Sequence, residues 1–193
     1  MRLKEIILIM ALSFIVGCTV KPLEINQSTG FFPTDSKVKE EDILINLKID
    51  DIKKYKYVYL TQSLDTVQNM DSWRSYRALH TKSLSDIKLA QVVSTQELGD
   101  IAASKGLKRN FVSFDNAGLE EIAKHVGPFL RVHINYEPIN SEWNRYTLEV
   151  YDPLEKQYVY KVSSVPLVLF SEEEEMIYPA FNSLISWVKS QRN

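Results

Sequence analysis

The side chains that could bind a metal ion are few, and their spacing does not favour a site. His80, His125 and His133 are the three histidines, and none lie at the close helical spacing that pairs zinc ligands. Glu172 to Glu175 offer the carboxylates that hard cations prefer, but four consecutive side chains point in different directions on any regular backbone. We therefore predict no metal site, surface or helix-capping roles for the histidines, and a solvated lead into a helix for the glutamates.

The motifs of common enzyme classes are missing from the sequence. It has no Gly-x-Ser-x-Gly elbow of serine hydrolases, and its six glycines form no phosphate-binding loop. Asp and Glu are plentiful, but the sequence identifies no facing pair of the kind that glycosidases use. We therefore expect a protein without catalytic activity and without a cofactor. A nucleophile–base pair or two carboxylates in a cleft would favour the alternative, a hydrolase.

Cys18 is the only cysteine, and the residues before it form a leader. Arg2 and Lys4 begin the chain with positive charge, and residues 6–16 form an almost uninterrupted apolar run. This run is shorter than the roughly 20 residues that span a bilayer. The leader ends Ile-Val-Gly-Cys at Cys18, and in this it resembles the lipobox signal peptide of bacterial lipoproteins.

The lipobox resemblance implies that the chain is cut between Gly17 and Cys18, which removes residues 1–17, and that Cys18 carries palmitate and related acyl chains. Acyl chains stabilise membrane attachment by roughly 0.8 kcal/mol per buried methylene, so several chains hold a protein durably. By the same resemblance, Thr19 in place of aspartate favours the periplasmic face of the outer membrane. The alternative is an uncleaved anchor helix or a buried N-terminal strand.

The rest of the chain is long enough for one domain and nearly neutral. The formal net charge of the full sequence is −2, and no basic stripe indicates nucleic-acid binding. Acylation would consume the only thiol, which would exclude a disulfide and a cysteine nucleophile. We therefore predict one periplasmic domain over residues 41–193, attached to the membrane through its lipid alone.

Residues 18–40 are predicted to be a lipidated tether, because turn-forming and polar residues dominate them. Phe31 and Phe32 interrupt this composition. These two rings either cap the edge of the domain or dock a protein partner.

The first part of the domain is predicted to alternate strands and helices. Period-two patterns indicate strands, and Ser or Asp before an apolar stripe indicates a helix N-cap. The expected order is a strand over 43–49, a strand over 55–60 with Tyr55, Tyr57 and Tyr59 on one face, a helix at about 67–83, a strand over 89–93, a helix capped by Ser94 or Thr95, a short strand over 111–114 and a helix capped by Asp115.

The second part is predicted to be an antiparallel meander. Residues 130–136, 146–150 and 158–162 alternate apolar and polar side chains, so each strand buries one face and solvates the other. Asp152 and Pro153 indicate a turn between the last two strands.

An apolar stripe from Ile177 to Val188 predicts a C-terminal helix. Pro179 favours a start near residues 175–178, because a proline in a helix interior costs about 3 kcal/mol. The whole pattern predicts an α/β (α+β) domain of two or three layers, with helices packed on a mixed sheet that ends in the meander.

The order of elements from Tyr55 resembles the periplasmic α/β domain shared by the N-terminal domain of TolB, the curli-secretion lipoprotein and the lipoprotein activators of penicillin-binding proteins. Two stretches carry the resemblance: helix, glycine and strand over 119–135, and strand, Asp-led turn and strand over 146–160. The glycine usual in that turn is absent after Asp152, and the strand at 43–49 is additional. In these relatives the domain mostly binds other envelope proteins or assembles, which implies the same class of role here.

Two functions are therefore predicted. The first is an envelope protein-interaction or assembly module; Trp143, in the first meander loop, is a candidate interface anchor beside Phe31 and Phe32, unless it folds back onto the sheet edge. The second is a lipoprotein that binds a small ligand or a peptidoglycan fragment, since ten tyrosines and three tryptophans allow sugar stacking. A concave pocket with several aromatic rings and convergent polar groups would favour the second.

Overall fold

The computed structural model describes residues 23–64, 70–108, 113–140, 144–165 and 173–192. Within these residues, six strands form one mixed sheet in the order β1-β6-β5-β4-β2-β3. The strands are β1 (Ile43–Asn46), β2 (Tyr57–Leu64), β3 (Gln91–Val93), β4 (Phe129–Pro138), β5 (Asn144–Asp152) and β6 (Gln157–Ser164). The helices are α1 (Met70–Ile87), α2 (Thr95–Ser104), α3 (Asn116–Val126) and α4 (Glu173–Ser190). This arrangement confirms the predicted fold class.

The two halves of the sheet are paired differently. β2 lies between β3 and β4 and is parallel to both. β4, β5 and β6 form the predicted antiparallel meander. β1 is antiparallel to β6, so the strand predicted at 43–49 completes the sheet within this chain.

The helices cover the two faces of the sheet unequally. α1 and α4 pack on one face over the larger core, which includes Leu148 and Phe181. α2 and α3 pack on the other face over a smaller core with Tyr59, Leu119 and Phe129. The strand residues of this smaller core come only from β2, β3 and the start of β4. The domain therefore has three layers at that side of the sheet and two layers across β5, β6 and β1.

Local hydrogen bonds explain where α2 and α3 begin. The Ser94 hydroxyl accepts from the Glu97 N–H, and the Ser94 N–H donates to the Glu97 carboxylate at 2.7 Å. The Asp115 carboxylate accepts from the Gly118 N–H at 2.8 Å. Of the two candidates for the N-cap of α2, Ser94 is the one observed, and the predicted Asp115 cap of α3 is confirmed. Gly118 is also sterically required, because a Cβ there would lie 2.2 Å from the Ser113 carbonyl oxygen.

The C-terminal helix begins earlier than predicted. α4 starts at Glu173 and carries Pro179 in its interior. The proline removes one backbone hydrogen bond from the helix. However, Ile177, Tyr178 and Phe181 are at most 2% exposed, and burial of these side chains offsets that cost.

Two other boundaries differ from the prediction. The helix expected at 67–83 is observed from Met70 to Ile87, and residues 67–69 lie outside the described part of the chain. Of the strand expected at 111–114, only Ser113 and Phe114 are described, and neither belongs to a strand.

The alternation of residues 55–60 predicts that Tyr55, Tyr57 and Tyr59 share one face, but Tyr55 lies apart from the other two. It precedes β2 and belongs to the larger core, whereas the other two tyrosines contact the smaller one. Its hydroxyl donates to the buried Asp152 carboxylate at 2.5 Å. Burial, and then this carboxylate, raise the pKa of Tyr55 far above its ordinary value.

Asp152 also organises the turn between β5 and β6. Its carboxylate accepts from the N–H groups of Leu154 and Glu155 at 2.9 and 3.2 Å. Lys156 then takes a left-handed conformation with φ of 56°. A lysine thus fills the kind of backbone position for which glycine is usual.

Candidate interaction surfaces

Three of the residues predicted to carry function cannot be placed. Gly17, Cys18 and Trp143 lie outside the described residues. Acylation and cleavage at Gly17–Cys18, and the interface role of Trp143, therefore stay predictions.

Residues 23–39, called the N-terminal strap here, pack against α4. The Leu23 N–H donates to the Tyr178 hydroxyl at 2.7 Å. The Asn182 side chain accepts from the Phe32 N–H at 2.7 Å and donates to the Phe32 carbonyl at 3.0 Å. The Phe32 ring lies 4.7 Å from the Tyr178 ring and 6.1 Å from that of Phe181, between ring centres. From residue 23 onward, the segment predicted as a tether is packed on the domain.

Phe31 and Phe32 occupy different environments. Phe32 is 2% exposed and closes the larger core, which fits the capping interpretation. Phe31 is partly buried, and the Lys189 ammonium lies 3.8 Å from its ring centre, a cation–π contact. Lys189 also donates to the Thr29 and Gly30 carbonyls at 3.3 and 3.5 Å. Of the two rings, Phe31 alone keeps surface that a partner can contact.

A groove of about 900 Å³ lies between the strap, α4 and β1. Phe31 lines it with partly exposed aromatic surface, whereas Phe32 is buried in its wall. Two of its polar side chains are engaged within the protein: Asn182 holds the strap, and Ser183 accepts from the Tyr160 hydroxyl at 2.6 Å. The groove is therefore concave but does not combine several aromatic rings with convergent polar groups.

The side of β4, β5 and β6 opposite α1 and α4 is called the open sheet face here, because no described helix covers it. Tyr151 on this face is 4% exposed, with the Arg131 guanidinium over its ring. Most of the side chains that line the shallow depression of the face are polar or charged. They are His133, Asn135, Glu137, Arg145, Thr147, Glu149, Lys161 and Ser163.

Three cross-strand pairs order the open sheet face. Residues directly opposite each other in the register bond through their side chains: Glu137 with Arg145 at 2.9 Å, Glu149 with Lys161 at 2.6 Å, and Thr147 with Ser163 at 3.0 Å. Such pairs stabilise a sheet modestly and hold charges of both signs at fixed places. The face therefore presents an ordered polar pattern to its surroundings.

His133 extends this pattern toward β2. Its Nδ1 lies 2.8 Å from the Thr61 hydroxyl. The residue is half-buried, although the sequence pattern predicts a solvated side chain. Partial burial, and then the positive charge of Arg131, lower the pKa of His133 below its ordinary value.

Apolar side chains lie at the edge of the open sheet face. Leu44, on β1, is 56% exposed, and Val165, just after β6, is 40% exposed. Both line the shallow depression that the polar side chains of β5 and β6 also form. This mixture of an ordered polar centre and exposed apolar rim suits a surface that another molecule covers.

His80 contradicts the prediction of a surface histidine. Its side chain is fully buried, with Nδ1 3.0 Å from the Gln62 amide oxygen and Nε2 3.4 Å from the Tyr146 hydroxyl. Its ring also lies 6.1 Å from those of Tyr146 and Phe181. Burial lowers the pKa of His80 to about 3, so the imidazole is neutral at physiological pH. The burial of His80 is not evident from the sequence, because the apolar residues of α1 do not form a regular helical stripe.

His125 is a surface histidine near a helix end, one of the two roles predicted for it. It is exposed in the last turn of α3, with Nδ1 2.9 Å from the Glu121 carbonyl oxygen. In the part of the chain that the structure describes, no three His, Cys, Asp or Glu side chains converge as a metal site. Among the same residues, no helix combines the length and apolar character needed to cross a membrane.

Comparisons with known proteins find likeness only among solved structures. No family model matches the chain, and no curated protein matches it. The C-terminal domain of LpoB from Escherichia coli is 13% identical, with a TM-score of 0.42, over 61% of this chain and 87% of that one. The PelC dodecamer from Paraburkholderia phytofirmans is 14% identical, with a TM-score of 0.39, over 77% and 94%. Lipoprotein GNA1162 from Neisseria meningitidis is 10% identical, with a TM-score of 0.37, over 70% and 95%. At these values, nothing about function is taken from the likeness.

Proposed function

We propose that this chain is a bacterial cell-envelope lipoprotein, anchored through acylated Cys18, whose domain is a protein-interaction or assembly module without catalytic activity. Its place would be the periplasmic face of the outer membrane. The leader before Cys18 supports the anchor, and the observation that carries the module is the open sheet face.

The open sheet face supports interaction because apolar side chains at its edge are left exposed to solvent. Antiparallel sheets tolerate one solvated face. Here, however, that face adjoins exposed Leu44 and Val165 instead of ending in charged residues alone. A partner that covered it would bury this apolar rim and meet the fixed charges of Glu137, Arg145 and Lys161.

The side chains that could act as acids or bases near this face are engaged in structural contacts, which supports a non-catalytic role. Glu149 pairs with Lys161 at 2.6 Å, and His133 bonds to Thr61. His80 lies inside the larger core, away from solvent. Thr61 and His133 alone among these have the distance of a hydroxyl nucleophile and its base, and the nearby Glu149 carboxylate, which could orient the imidazole, is engaged by Lys161.

Metabolic labelling with radioactive palmitate tests the anchor. The wild-type protein should take up label and a Cys18→Ala variant should not. Equal labelling of the two would overturn acylation at Cys18.

A photoreactive side chain at residue 44 tests the module. In intact envelopes it should form a protein adduct, whereas the same group at residue 154 should not, since Leu154 is 40% exposed but lies in the turn between β5 and β6. A Lys161→Gln substitution should weaken the adduct while lowering the melting temperature only slightly, because the pair with Glu149 stabilises the sheet modestly. Absence of any adduct from residue 44 would overturn the open sheet face as the interaction surface.

A second candidate function, the binding of a small ligand or a peptidoglycan fragment, rests on the volume of the groove alone. This volume of about 900 Å³ is within the usual range for ligand pockets. A muropeptide that bound there should raise the melting temperature of wild type, and Phe31→Ala should reduce that rise. An unchanged melting temperature across a muropeptide panel would exclude this function.

A further inference from the structure

We propose that the domain lies directly on the bilayer that holds Cys18, with one defined end of the sheet toward the lipid. This inference rests on the acylation proposed above. The near end is where β4 ends at Pro138 and β6 ends at Ser164. The far end is the turn between β5 and β6, residues 153–156.

The first argument is the length of chain between the anchor and the domain. Only residues 19–22 separate Cys18 from Leu23. Five peptide steps reach about 18 Å at full extension. Leu23 is fixed, because its N–H donates to the Tyr178 hydroxyl and its side chain packs on the larger core. The surface around Leu23 must therefore stay within that distance of the acylated residue.

The second argument is the position of Leu23 in the fold. Tyr178 lies in the second turn of α4 and is one turn before Phe181. The His80 ring lies 6.1 Å from both Phe181 and Tyr146, which places this part of α4 over Tyr146. Tyr146 pairs with Tyr136 on β4 and with Ser164 on β6. Leu23 therefore enters the domain at the near end.

The far end lies slightly beyond the reach of the connection. From Tyr146 to Asp152, β5 advances six residues, or about 20 Å at the usual rise of a strand. The short connection therefore allows the near end to touch the lipid headgroups and keeps the turn at the far end away from them.

Apolar exposure does not distinguish the two ends, since Leu47 and Leu154 are 42% and 40% exposed toward the far end, so the orientation rests on the length of the connection. At the near end, Ile139 is 44% exposed. Apolar side chains at this position can enter the boundary between headgroups and acyl chains. At the far end, the Lys54 and Lys156 ammonium groups form ion pairs with Glu155 at 3.5 Å and Glu120 at 2.7 Å. The near end carries one such pair as well, between Glu137 and Arg145 at 2.9 Å.

A matched pair of labels tests the orientation. The acylated protein has no free thiol, so a single cysteine can be introduced as Ile139→Cys or Leu154→Cys and labelled with a fluorophore. These two leucine-sized positions have similar exposure, 44% and 40%, at opposite ends of the sheet. The labelled full chain would be reconstituted in phosphatidylethanolamine–phosphatidylglycerol vesicles that contain a headgroup spin-labelled lipid. Fluorescence at residue 139 should be quenched several-fold more than at residue 154.

Lengthening the segment between Cys18 and Leu23 tests whether its short length causes the orientation. A Gly/Ser insert of about 20 residues between Pro22 and Leu23 would extend the r.m.s. reach of the connection to about 28 Å while the strap stays docked. Quenching at residue 139 should then fall toward the value at residue 154. Unchanged quenching would overturn the short connection as the cause of the orientation.

Vesicle flotation separates the two proposals. Protein that floats with the vesicles but shows equal quenching at both positions would overturn the orientation and leave the anchor intact. A protein partner that occupies the near end in place of lipid would also leave residue 139 unquenched and overturn the inference. Failure of the acylated chain to float would overturn both proposals.

Discussion

β2 and β5 show two ways of building a strand into one sheet. In β2, the neighbours Tyr59 and Leu60 are 2% and 4% exposed, because helices cover both faces there. In β5, Leu148 is fully buried under α4 and α1, while Glu149 beside it lies on the open sheet face. A strand covered on both sides needs successive apolar residues, whereas a strand covered on one side alternates. The alternation of apolar and polar residues along β5 therefore indicates, already in the sequence, that a helix covers only one side of this half of the sheet.

The largest expected effect comes from breaking the covered side of β5. Leu148→Ala should lower the free energy of unfolding by about 2–5 kcal/mol, because it leaves a cavity in the larger core. Thr147→Ala, one residue away on the open sheet face, should change it by about 1 kcal/mol or less. Urea unfolding of both variants measures the difference. Similar losses would mean that the two faces are equally packed.

The next largest effect is a pH dependence of the free energy of unfolding, caused by the buried His80. The folded state holds the pKa of His80 at about 3, and the unfolded state holds it near 6.5. Below pH 6.5 the unfolded chain therefore binds a proton that the folded chain excludes, so stability falls as pH drops toward 3. The loss between pH 7 and pH 4 is on the order of 3 kcal/mol.

Urea unfolding across that pH range tests this assignment. His80→Gln, which keeps a donor and an acceptor, should flatten the fall in stability. His125→Gln should leave it in place, because His125 is exposed. An acid loss in the His80→Gln protein as large as in wild type would contradict the prediction.

A smaller difference in stability is expected between alanine substitutions of two glycines, Gly118 in α3 and Gly99 in α2, the helices that cover the second face of the sheet. Gly118→Ala should destabilise by about 1–3 kcal/mol, because the new Cβ would clash with the Ser113 carbonyl. At Gly99 a Cβ would meet only the Phe114 ring at 3.6 Å, an ordinary contact. Gly99→Ala should therefore stabilise α2, by up to about 1 kcal/mol. Thermal unfolding of the two proteins would show opposite shifts, and shifts of the same sign would refute this account.

The smallest effect is expected on the open sheet face. A double-mutant cycle of Glu149→Gln and Lys161→Gln should give a coupling of about 0.2–1 kcal/mol, reduced by added salt, since both side chains are partly solvated. A coupling of several kcal/mol would mean that this face is shielded from water in the isolated domain.

The sequence predicts the meander and the caps of α2 and α3 because their causes are local. Alternation along 130–162 and a side chain bonded to a backbone N–H three residues on are both visible in the order of residues. The edge strand β1 was also predicted, though its partner was not.

The strap and the buried histidine could not be predicted, because their causes are distant in the chain. Leu23 and Phe32 bond to residues about 150 positions away, and their own neighbourhood has the composition of a tether. His80 meets Tyr146 66 positions later. Pro179 lies inside α4 because neighbouring side chains of the helix are buried in the core, and helix propensities do not include this contribution. The lipid anchor and Trp143 lie outside the described residues and remain predictions.

The docking of the strap on α4 sets an order for biosynthesis. A ribosome makes Phe32 among the first residues of the domain and Asn182 among the last, so the emerging chain must wait for its final helix before these groups can meet. Contacts of such long range also slow the search for the native state. The N-terminal aromatic residues would be exposed to chaperones and proteases throughout this interval, and a ribosome that stalled before α4 would release a chain that cannot hide them.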